Sequence, residues 1–445
     1  MRDRVLWGGC LAYALLFAWL GSIKYAVHRN LVDFGLFAQT VSAAFGCFCN
    51  PLEGSHWAFH FSPILYVAGA AVALAHSPLT LIGLQAIAGA LCAPPVYAIV
   101  CARTDRTAAR MSALVVWLYP PLAGLTFGDF HENSFAPAAV AWMLYAFDAR
   151  KLALAAGCAA LTLAVKEDQA IFLAIAGAAG AVVYRSDGAR ARLAGGVAVA
   201  GTIVALVFFL AIQPHANANP AWQPVRFYAW TATDVRGLGA GLAARIGFLL
   251  LVFAPLAFLP FRSRALWLAV PPLLEVLLSR MSTTYTLGTH YAGAWIGYVL
   301  AAFAGGIVAP GLRRRTTALS WAAALCALEL LVADPLHPGL NLRAVQPRDV
   351  RLDAALRALP PDAGIATQEE AYTHLALDDP FARLLPEDRR TPERACLVLV
   401  DREYPESARL QEYGGALPAL VRSGRYVPVQ RVRGIELYRS TSACR

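Results

Sequence analysis

The sequence predicts an all-α polytopic membrane protein of about eleven transmembrane helices, followed by a small α/β domain. Three observations support this fold class. Hydrophobic residues make up 58% of the 445 residues and charged residues only 15%, with a mean hydropathy of +0.51, whereas a soluble chain of this length normally carries far more charge. Apolar runs fill residues 5–333, and from about Asp334 they shorten to strand length. The charged residues between the runs fall into two kinds of loop.

The predicted spans are the runs that reach or approach the roughly 20 apolar residues needed to cross a bilayer. The first follows two arginines and is not followed by an A-x-A-like cleavage site, so we expect an uncleaved span rather than a signal peptide. The eleven segments are 5–23, 79–101, 109–127, 134–149, 152–165, 169–184, 193–212, 242–261, 265–279, 291–309 and 317–333.

One kind of loop carries arginine clusters, and such clusters accumulate in cytoplasmic loops. A further apolar segment, 61–76, decides on which side of the membrane the later loops lie. If it were counted as a span, every later arginine cluster would be placed outside. We therefore expect 61–76 to be an interfacial helix at the outer face. The clusters are Arg2/Arg4, Arg103/Arg106/Arg110, Arg150/Lys151, Arg185/Arg190/Arg192, Arg262/Arg264 and Arg313/Arg314/Arg315.

This topology predicts a multi-pass protein of the bacterial inner membrane, with a cytoplasmic N-terminus and a periplasmic C-terminal domain. Most of the net charge of +9 lies in the orienting arginine loops. The charge therefore does not indicate nucleic-acid binding, and the bilayer is the first expected partner.

The other kind of loop carries acids, histidines and aromatic residues, and the same parity places all of them on the outer face. The side of each loop is assigned from the arginines alone. That all the acids and histidines then share one face is therefore an independent indication of a reaction site. The long loop between residues 212 and 242 adds Trp222, Phe227, Tyr228 and Trp230 as a predicted interfacial aromatic belt. The converging residues are Asp33, His56, His60, Asp129, His131, Glu132, Lys166, Glu167, Asp168 and His290.

Asp33 stands among apolar neighbours in the first outer loop. Loss of hydration there would raise the pKa of its carboxyl group and suit it to proton transfer. An equally weighted interpretation is that Asp33 only caps a helix through 34–44.

The second outer loop holds Asp129, His131 and Glu132 in the segment 128–133. An aspartate and a histidine at this spacing could orient a substrate hydroxyl, bind a divalent ion or hydrogen-bond each other. As a metal site the pattern is weak, since tetrahedral sites need several clustered ligands. A polar turn that caps the helix starting near Ser134 is the simpler alternative. The succession of four polar residues exceeds what a turn requires and favours function.

Lys166, Glu167 and Asp168 lie at a tight junction between two apolar helices. An isolated triplet of this kind is most often a solvated turn. At membrane depth, however, charged groups are costly and tend to be retained for function, and a lysine can meet a phosphate as a compact point charge. His290, in the last outer loop, is either an interfacial hydrogen-bonding group or a further site residue.

The C-terminal segment reads as a soluble α/β domain over 334–445, after a transmembrane domain over 1–333. Cysteines in the apolar runs indicate small buried side chains, whereas Cys47, Cys49, Cys396 and Cys444 lie in loops or the tail, where a Cys396–Cys444 disulfide is one option that sequence does not fix. The predicted strands are Gly364–Thr367, Cys396–Asp401, Tyr426–Val432 and Ile435–Arg439, and the predicted helices are Glu369–Leu377 and Ala408–Arg422.

The motifs of several common enzyme classes do not occur in the sequence. The chain contains no P-loop, GxGxxG, HExxH, GxSxG or CxxC pattern. ATP-driven transport, nicotinamide chemistry and zinc proteolysis by the standard motifs therefore lack support.

Four short motifs, in order, resemble a family of prokaryotic membrane proteins catalogued as domain of unknown function 2079. They are D-F-G-L-F-A-Q at 33–39, H-F-S-P at 60–63, D-F-H at 129–131 and K-E-D at 166–168. The resemblance covers most of the chain. That family is grouped with the GT-C superfamily of polytopic glycosyltransferases, so the resemblance implies a GT-C-like fold, an interfacial helix in the first outer loop and a polyprenyl-phosphate sugar donor.

The resemblance also implies roles for the outer-face residues. Asp33 matches the catalytic aspartate, and Asp129, His131 and Glu132 would join it. The first loop has no D-x-D or adjacent acids, so dependence on Mg²⁺ or Mn²⁺ stays open, with Asp33, Asp129 and His131 as the ligands if such an ion takes part. The acceptor would be a glycan, a lipid or a protein. The expected substrate-binding residues are Arg29, His56, His60, Lys166, Glu167, Asp168 and His290.

Two other function classes compete with a glycosyltransferase. A transporter or flippase for a lipid-linked or polar solute would place ionisable groups near the bilayer midplane, often in related halves with broken helices. Here the charges gather at one surface and the two halves share no matched broken segments. A membrane scaffold subunit would explain the C-terminal domain but not the loops of acids and histidines. These comparisons favour the enzyme.

The arginine loops predict the outcome of a topology experiment. Reporter domains fused after Arg110, Arg150 and Arg192 should all report the cytoplasm, because each fusion follows a cluster on the predicted inner side. Alkaline phosphatase and fluorescent-protein fusions measure this directly. A periplasmic signal at any of the three sites would contradict the parity argument.

Overall fold

The computed structural model describes residues 3–216, 227–228, 236–237, 239–360, 363–385, 395–404, 407 and 417–441. In this part of the chain a bundle of apolar helices precedes a small mixed sheet, as the composition predicts. Trp222 and Trp230 of the predicted aromatic belt lie outside the described residues, whereas Phe227 and Tyr228 lie within them.

The first helix and the first outer loop build one end of the bundle. Helix α1 (Arg4–Ala26) begins at Asp3, whose carboxylate accepts a hydrogen bond of 2.9 Å from the backbone N–H of Val5. Helix α2 (Val32–Ser42) follows. Helix α3 (Ile64–Ala75) occupies the predicted interfacial segment and has 12 residues, or about 18 Å of helix, too short for a bilayer core of roughly 30 Å.

The remaining helices of the bundle are mostly short. Each predicted span after the first overlaps at least one of them. Short 3₁₀ turns extend the segments around residues 259–269 and 290–294. The helices are α4 (Leu79–Ala90), α5 (Ala93–Cys101), α6 (Arg106–Leu118), α7 (Pro120–Phe127), α8 (Ala136–Asp148), α9 (Leu152–Leu163), α10 (Glu167–Val183), α11 (Gly188–Val207), α12 (Gln213–Ala216), α13 (Leu242–Phe253), α14 (Val270–Leu278), α15 (Ile296–Val308) and α16 (Arg315–Val332).

Four helices of the described chain are long and apolar enough to cross a membrane, and they are Arg4–Ala26, Leu79–Cys101, Gly188–Ala216 and Arg315–Val332. A fifth is added if α6 and α7, bent by 50° at their junction, count as one span. The bend falls at Pro120, whose ring cannot continue a preceding helix without a clash. The structure thus supports several apolar helices, and the count of eleven crossings stays a prediction.

Helix α15 lies at the centre of the bundle. Tyr298, Val299, Leu300 and Phe303 are all fully buried, and no charged residue occurs in the helix. A helix that is apolar on every side is typical of such a central position.

The C-terminal domain is a five-stranded sheet with helices against it. Its strand order is β4-β3-β5-β7-β6, with β3 parallel to β4 and β5, and β7 antiparallel to β5 and β6. Two further strands, β1 (Cys49–Asn50) and β2 (Gly54–Ser55), pair in the first outer loop. The sheet strands are β3 (Ile365–Thr367), β4 (Arg383–Leu384), β5 (Leu397–Asp401), β6 (Tyr426–Val432) and β7 (Ile435–Ser440), and the helices are α17 (Pro338–Asn341), α18 (Pro347–Arg357), α19 (Glu369–Leu375) and α20 (Leu417–Arg422).

All four predicted strands are present, and so is the helix predicted from Glu369, which ends at Leu375. Sequence reasoning missed strand β4 and helix α18. Of the predicted helix 408–422, residues 408–416 lie outside the described chain. Cys47 and Cys49 form a disulfide with each other. Cys444 lies outside the described residues, so its pairing with Cys396 stays a prediction.

The C-terminal domain docks on α2 through a buried polar contact. Tyr372 of α19 donates a hydrogen bond of 2.6 Å to Gln39 Oε1, and Gln39 Nε2 donates to the carbonyl oxygen of Ala382 at 2.9 Å. Gly35 makes room for the ring of Tyr372, since a Cβ atom at Gly35 would lie 2.5 Å from Tyr372 Cε1. The helix that carries Asp33 is therefore packed directly against the C-terminal domain.

This close approach predicts the effect of a small substitution. Gly35→Ala should destabilise the protein by about 1–3 kcal/mol, because the buried Tyr372 ring must shift away from its hydrogen bond. Gly83→Ala is the matched control: Gly83 also lies within a helix, has no atom within 4 Å of an added Cβ, and should gain helix propensity. Thermal unfolding of both purified variants in detergent measures the difference. Equal stabilities would contradict the tight packing of Gly35 on Tyr372.

Candidate functional site

The centre of the site is a row of two histidines between two acids, contributed by three loops. His290 opens a 3₁₀ turn and its Nδ1 lies 3.3 Å from Asp33 Oδ2 in the first turn of α2. The ring of His290 stacks on His131, with centroids 3.8 Å apart and planes 8° apart. His131 Nδ1 in turn lies 2.9 Å from Glu132 Oε2. The row therefore runs Asp33, His290, His131, Glu132.

Asp33 is an ionised carboxylate in this arrangement, not the proton-holding group that the sequence predicted. Burial acts to raise its pKa, but the hydrogen bond and the charge of His290 outweigh burial and lower the pKa to about 2. The expected raised pKa is thus wrong in sign. The capping alternative is wrong as well, because Leu31 occupies the N-cap position and no side chain caps the helix.

His131 and Glu132 form the buried end of the row. Burial, with the nearby charges of His290 and Lys166, holds the pKa of His131 well below its usual range, so that its ring is neutral. Within the described chain, neither carboxylate oxygen of Glu132 has a hydrogen-bond partner of good geometry. The backbone N–H of Asn133 donates to His131 Nδ1 at 3.3 Å, so the segment also caps its own short helix.

The three charged residues at the start of α10 are buried and contact two different parts of the structure. Lys166, Glu167 and Asp168 are each less than 10% exposed, which rules out a solvated turn. Lys166 Nζ lies 4.0 Å from Glu132 Oε1 at the end of the row. Glu167 accepts hydrogen bonds from the backbone of Phe61 and pairs with His60, both at 2.9 Å, and so ties the first outer loop to α10.

Asp168 has the higher pKa of the two acids in this triplet. Burial raises its pKa to about 6, Lys166 opposes the increase, and the neighbouring carboxylates of Glu167 and Glu132 add to it. Its Oδ1 atom is buried without a hydrogen-bond partner among the described residues. Asp168 can therefore exchange a proton or accept a donor from a ligand near neutral pH.

His56 lies behind this group as a neutral core histidine. Its side chain is fully buried beside Phe37 and Phe48, and burial lowers its pKa to about 4. Its nearest acid is Glu53, with Oε2 at 4.0 Å from Nδ1, and its ring centroid is 5.8 Å from that of His60.

Asp129 stands beside the row and holds its first member in place. Its carboxylate pairs with Lys24 Nζ at 2.8 Å and accepts hydrogen bonds from Asn30 Nδ2 at 3.1 Å and the backbone N–H of Leu31 at 2.7 Å. Leu31 is the N-cap of α2, so these bonds fix the helix end that carries Asp33. Arg29 lies in the same turn, next to Asn30.

Sequence reasoning missed two acids that interact with this site. Glu275 of α14 hydrogen-bonds Tyr228 and interacts electrostatically with Asp168 and Lys166. A single acid in the apolar run 265–279 was the available signal. Glu53 interacts with His60, Glu132 and Asp33, and the pKa of Glu53 is raised, mainly by burial. Its short, polar β-turn surroundings gave no comparable signal.

A metal ion held jointly by Asp33, Asp129 and His131 does not fit this geometry. In the part of the chain that the structure describes, these three do not form a group whose ligand atoms converge. Asp129 is instead occupied by Lys24 and two further donors.

A cavity of about 660 Å³, lined by Arg103, Phe147 and Arg264 among others, lies at the arginine-rich side and contains none of the predicted site residues.

A bundle of apolar helices with a partly buried row of acids, histidines and a lysine, and a small α/β domain docked on it, defines a polytopic membrane protein. The family model described as "Predicted membrane protein (DUF2079)" matches residues 25–437, and the chain belongs to that family. This confirms the resemblance seen in the motifs. No curated protein matches the chain by sequence.

Solved structures share the fold at low sequence identity. ArnT from Cupriavidus metallidurans bound to undecaprenyl phosphate superposes with a TM-score of 0.59 at 11% identity, over 96% of this chain and 97% of that one. Its apo state gives 0.56 at 12% identity, over 96% and 98%. The oligosaccharyltransferase AglB from Archaeoglobus fulgidus, in complex with an inhibitory peptide and a dolichol-phosphate, is less similar, with a TM-score of 0.40 at 13% identity, over 97% of this chain and 74% of that one.

The His60–Glu167 pair predicts a pH dependence of stability. Burial and Lys166 act to lower the pKa of His60, but Glu167 outweighs them and raises it above 6.5. Burial acts to raise the pKa of Glu167, but His60 outweighs it and lowers the pKa below 4.5. The histidine's contribution is complete below pH 6.5 and is lost as the pH rises through its raised pKa. The glutamate's contribution is complete above pH 4.5 and is lost as the pH falls through its lowered pKa.

We therefore expect Glu167→Gln to destabilise the protein most between about pH 4.5 and about pH 6.5. Thermal unfolding midpoints of wild type and variant, compared at about pH 5.5 and about pH 8.5, give the test. Asp148→Asn is the control, since Asp148 pairs with Arg103 and not with a histidine. A Glu167→Gln penalty that grows toward alkaline pH would contradict the pairing.

Proposed function

We propose that the protein is a membrane glycosyltransferase that moves a sugar from a polyprenyl-phosphate donor to an acceptor at the periplasmic face of the bacterial inner membrane. One observation carries the proposal: the row has an ionised carboxylate at one end and a buried ammonium group near the other. The transfer of a glycosyl group from a phosphate needs both, an acceptor for a hydroxyl proton and a cation for the departing phosphate.

The Asp33 end of the row suits the acceptor. The Asp33 side chain is 40% exposed, so an incoming hydroxyl can reach it, and His290 is 20% exposed beside it. A carboxylate with a lowered pKa is a weak base on its own. The hydroxyl would therefore be oriented by Asp33 while its proton passes into the Asp33–His290 pair as the new bond to the sugar carbon forms.

The Lys166 end suits the donor phosphate. Lys166 is 9% exposed and is surrounded by Glu132, Glu167 and Asp168, and burial strengthens its field on a nearby anion. As the bond from the sugar carbon to the phosphate oxygen breaks, negative charge grows on that oxygen, and the ammonium group of Lys166 would stabilise it. The polyprenyl chain would lie among the apolar helices, as the fold shared with the undecaprenyl-phosphate complex of ArnT suggests.

The remaining predicted residues take supporting parts in this proposal. Glu132 would keep His131 and Lys166 oriented, and Asp168 would accept a donor from the sugar. His60 and Glu167 would hold the first loop on α10, with His56 packed behind them.

Asp129 would position Asp33 through Leu31. Arg29, in the same turn, is a second candidate contact for the phosphate. A transporter or a scaffold has no comparable use for a row confined to one end of the bundle.

The test is glycosyl transfer by the purified protein with a panel of radiolabelled polyprenyl-phosphate sugars. Asp33→Asn should lower turnover by about 10² or more, because the neutral amide can neither accept the proton nor hold His290. Asp148→Asn is the matched control, since Asp148 is 39% exposed and paired with Arg103 at 2.6 Å on the arginine side, and it should leave turnover unchanged.

Two outcomes of that experiment would contradict the proposal. Full activity of Asp33→Asn would remove Asp33 from the reaction. No turnover and no binding by wild type across the panel would favour transport or a scaffold role over the enzyme.

A further inference from the structure

Three potential metal ligands meet where the membrane bundle contacts the C-terminal domain. His28 lies in the turn after α1, with φ of +57°, Asp353 lies on α18 and His374 on α19. One ligand atom from each lies within 4.8 Å of the other two. None of the three belongs to the row of acids and histidines or has a part in the proposed reaction.

Hydrogen bonds to backbone carbonyls fix which nitrogen of each imidazole ring carries a hydrogen. His28 Nδ1 lies 2.9 Å from the carbonyl oxygen of Glu370, and His374 Nε2 lies 3.1 Å from that of Tyr25. A carbonyl oxygen can only accept, so both of these ring nitrogens carry the hydrogen. In a neutral ring the other nitrogen, His28 Nε2 or His374 Nδ1, then presents a lone pair.

Both lone pairs face the same carboxylate oxygen. His28 Nε2 is 3.2 Å and His374 Nδ1 is 3.7 Å from Asp353 Oδ1. His28 is completely buried, and its Nε2 has no hydrogen-bond partner among the described residues. Three electron-rich atoms that face one another at these distances repel unless a cation lies between them.

A proton would satisfy this cluster less well than a metal ion. Protonation of His28 would pair it with Asp353 but leave His374 Nδ1 without a donor. Protonation of both rings would place two positive charges on rings stacked with centroids 3.9 Å apart. By contrast, histidines that bind metals generally donate their other N–H to a backbone carbonyl or a carboxylate, as both rings do here.

The donor set and its spacing fit a particular class of ion. Two imidazole nitrogens and one carboxylate oxygen suit Zn²⁺ and its first-row neighbours rather than Mg²⁺ or Ca²⁺, which prefer oxygen alone. Bonds of about 2.0–2.2 Å place tetrahedral ligands about 3.3–3.6 Å apart, close to the two distances measured from Asp353. The Asp353 side chain is 34% exposed, so solvent can supply a fourth ligand.

We propose that His28, Asp353 and His374 bind a divalent transition-metal ion of the Zn²⁺ class, which clamps the C-terminal domain to the membrane bundle. The ion joins the turn after α1 to helices α18 and α19. The same turn leads into α2, so the clamp also secures the helix that carries Asp33.

Metal titration of tag-free, full-length protein in detergent, after removal of bound metal by a chelator, tests the proposal. Co²⁺ serves as the probe, because its visible absorption reports tetrahedral coordination, and Zn²⁺ should displace it. Wild type should bind one equivalent. Asp353→Asn, which keeps the side chain's size, and His374→Gln should each weaken Co²⁺ binding by about tenfold or more. Zn²⁺ should raise the unfolding temperature of wild type but not that of these two variants.

Two control variants keep the result specific. His337→Gln alters a His–Asp pair, 3.6 Å from Asp334, that offers only two ligands, and it should bind Co²⁺ as wild type does. Asp33→Asn should also bind as wild type, because the proposed clamp excludes the reaction row. The proposal is overturned if wild type binds no metal, if Asp353→Asn and His374→Gln both bind normally, or if Asp33→Asn abolishes binding. Matching elution profiles in size-exclusion chromatography show that each variant is folded.

Discussion

The buried ion pair of Lys24 and Asp129 is the contact on which the site end of the bundle depends. Both side chains are about a tenth exposed, and breaking such a pair typically costs about 3–5 kcal/mol because one charge is left buried alone. Asp129 uses its remaining hydrogen-bonding capacity on Asn30 and the N-cap of α2. One carboxylate thus joins the end of α1, the start of α2 and the second outer loop, and thereby sets the distance between Asp33 and His131.

A second constraint is the surplus of acids around one ammonium group. Lys166 interacts with Asp168, Glu132 and Glu167, and Glu275 approaches from another helix. Carboxylates this close cannot all ionise at low cost, which accounts for the raised pKa of Asp168. In the proposed reaction the donor phosphate would meet the ammonium group of Lys166, and the Asp33 side, with its lowered pKa, would receive a neutral hydroxyl.

Much of the site could be predicted from the sequence because its members come from loops on one side of the bundle. The separation of arginine loops from acid–histidine loops was enough to bring His60, Lys166, His131 and His290 to one end. The role of Asp129 was not predictable, since its partner Lys24 lies inside an apolar run and no local pattern reveals their contact. Glu53 enters the site from a segment whose local sequence indicates only a turn. Glu275 lies in a predicted membrane helix, where a single acid in an apolar run was the one available signal.

The amino-acid sequence is enough to predict the helical membrane bundle, the change to a small sheet after Asp334 and the set of loops that meet. These features follow from apolar periodicity and charge placement, which act locally along the chain. The sign of the Asp33 pKa shift and the meeting of His28 with Asp353 and His374 follow only from the folded structure. Both depend on side chains that lie far apart in sequence, because a carboxylate's charge state and a ligand's lone pair are set by the groups that the fold brings within a few ångströms.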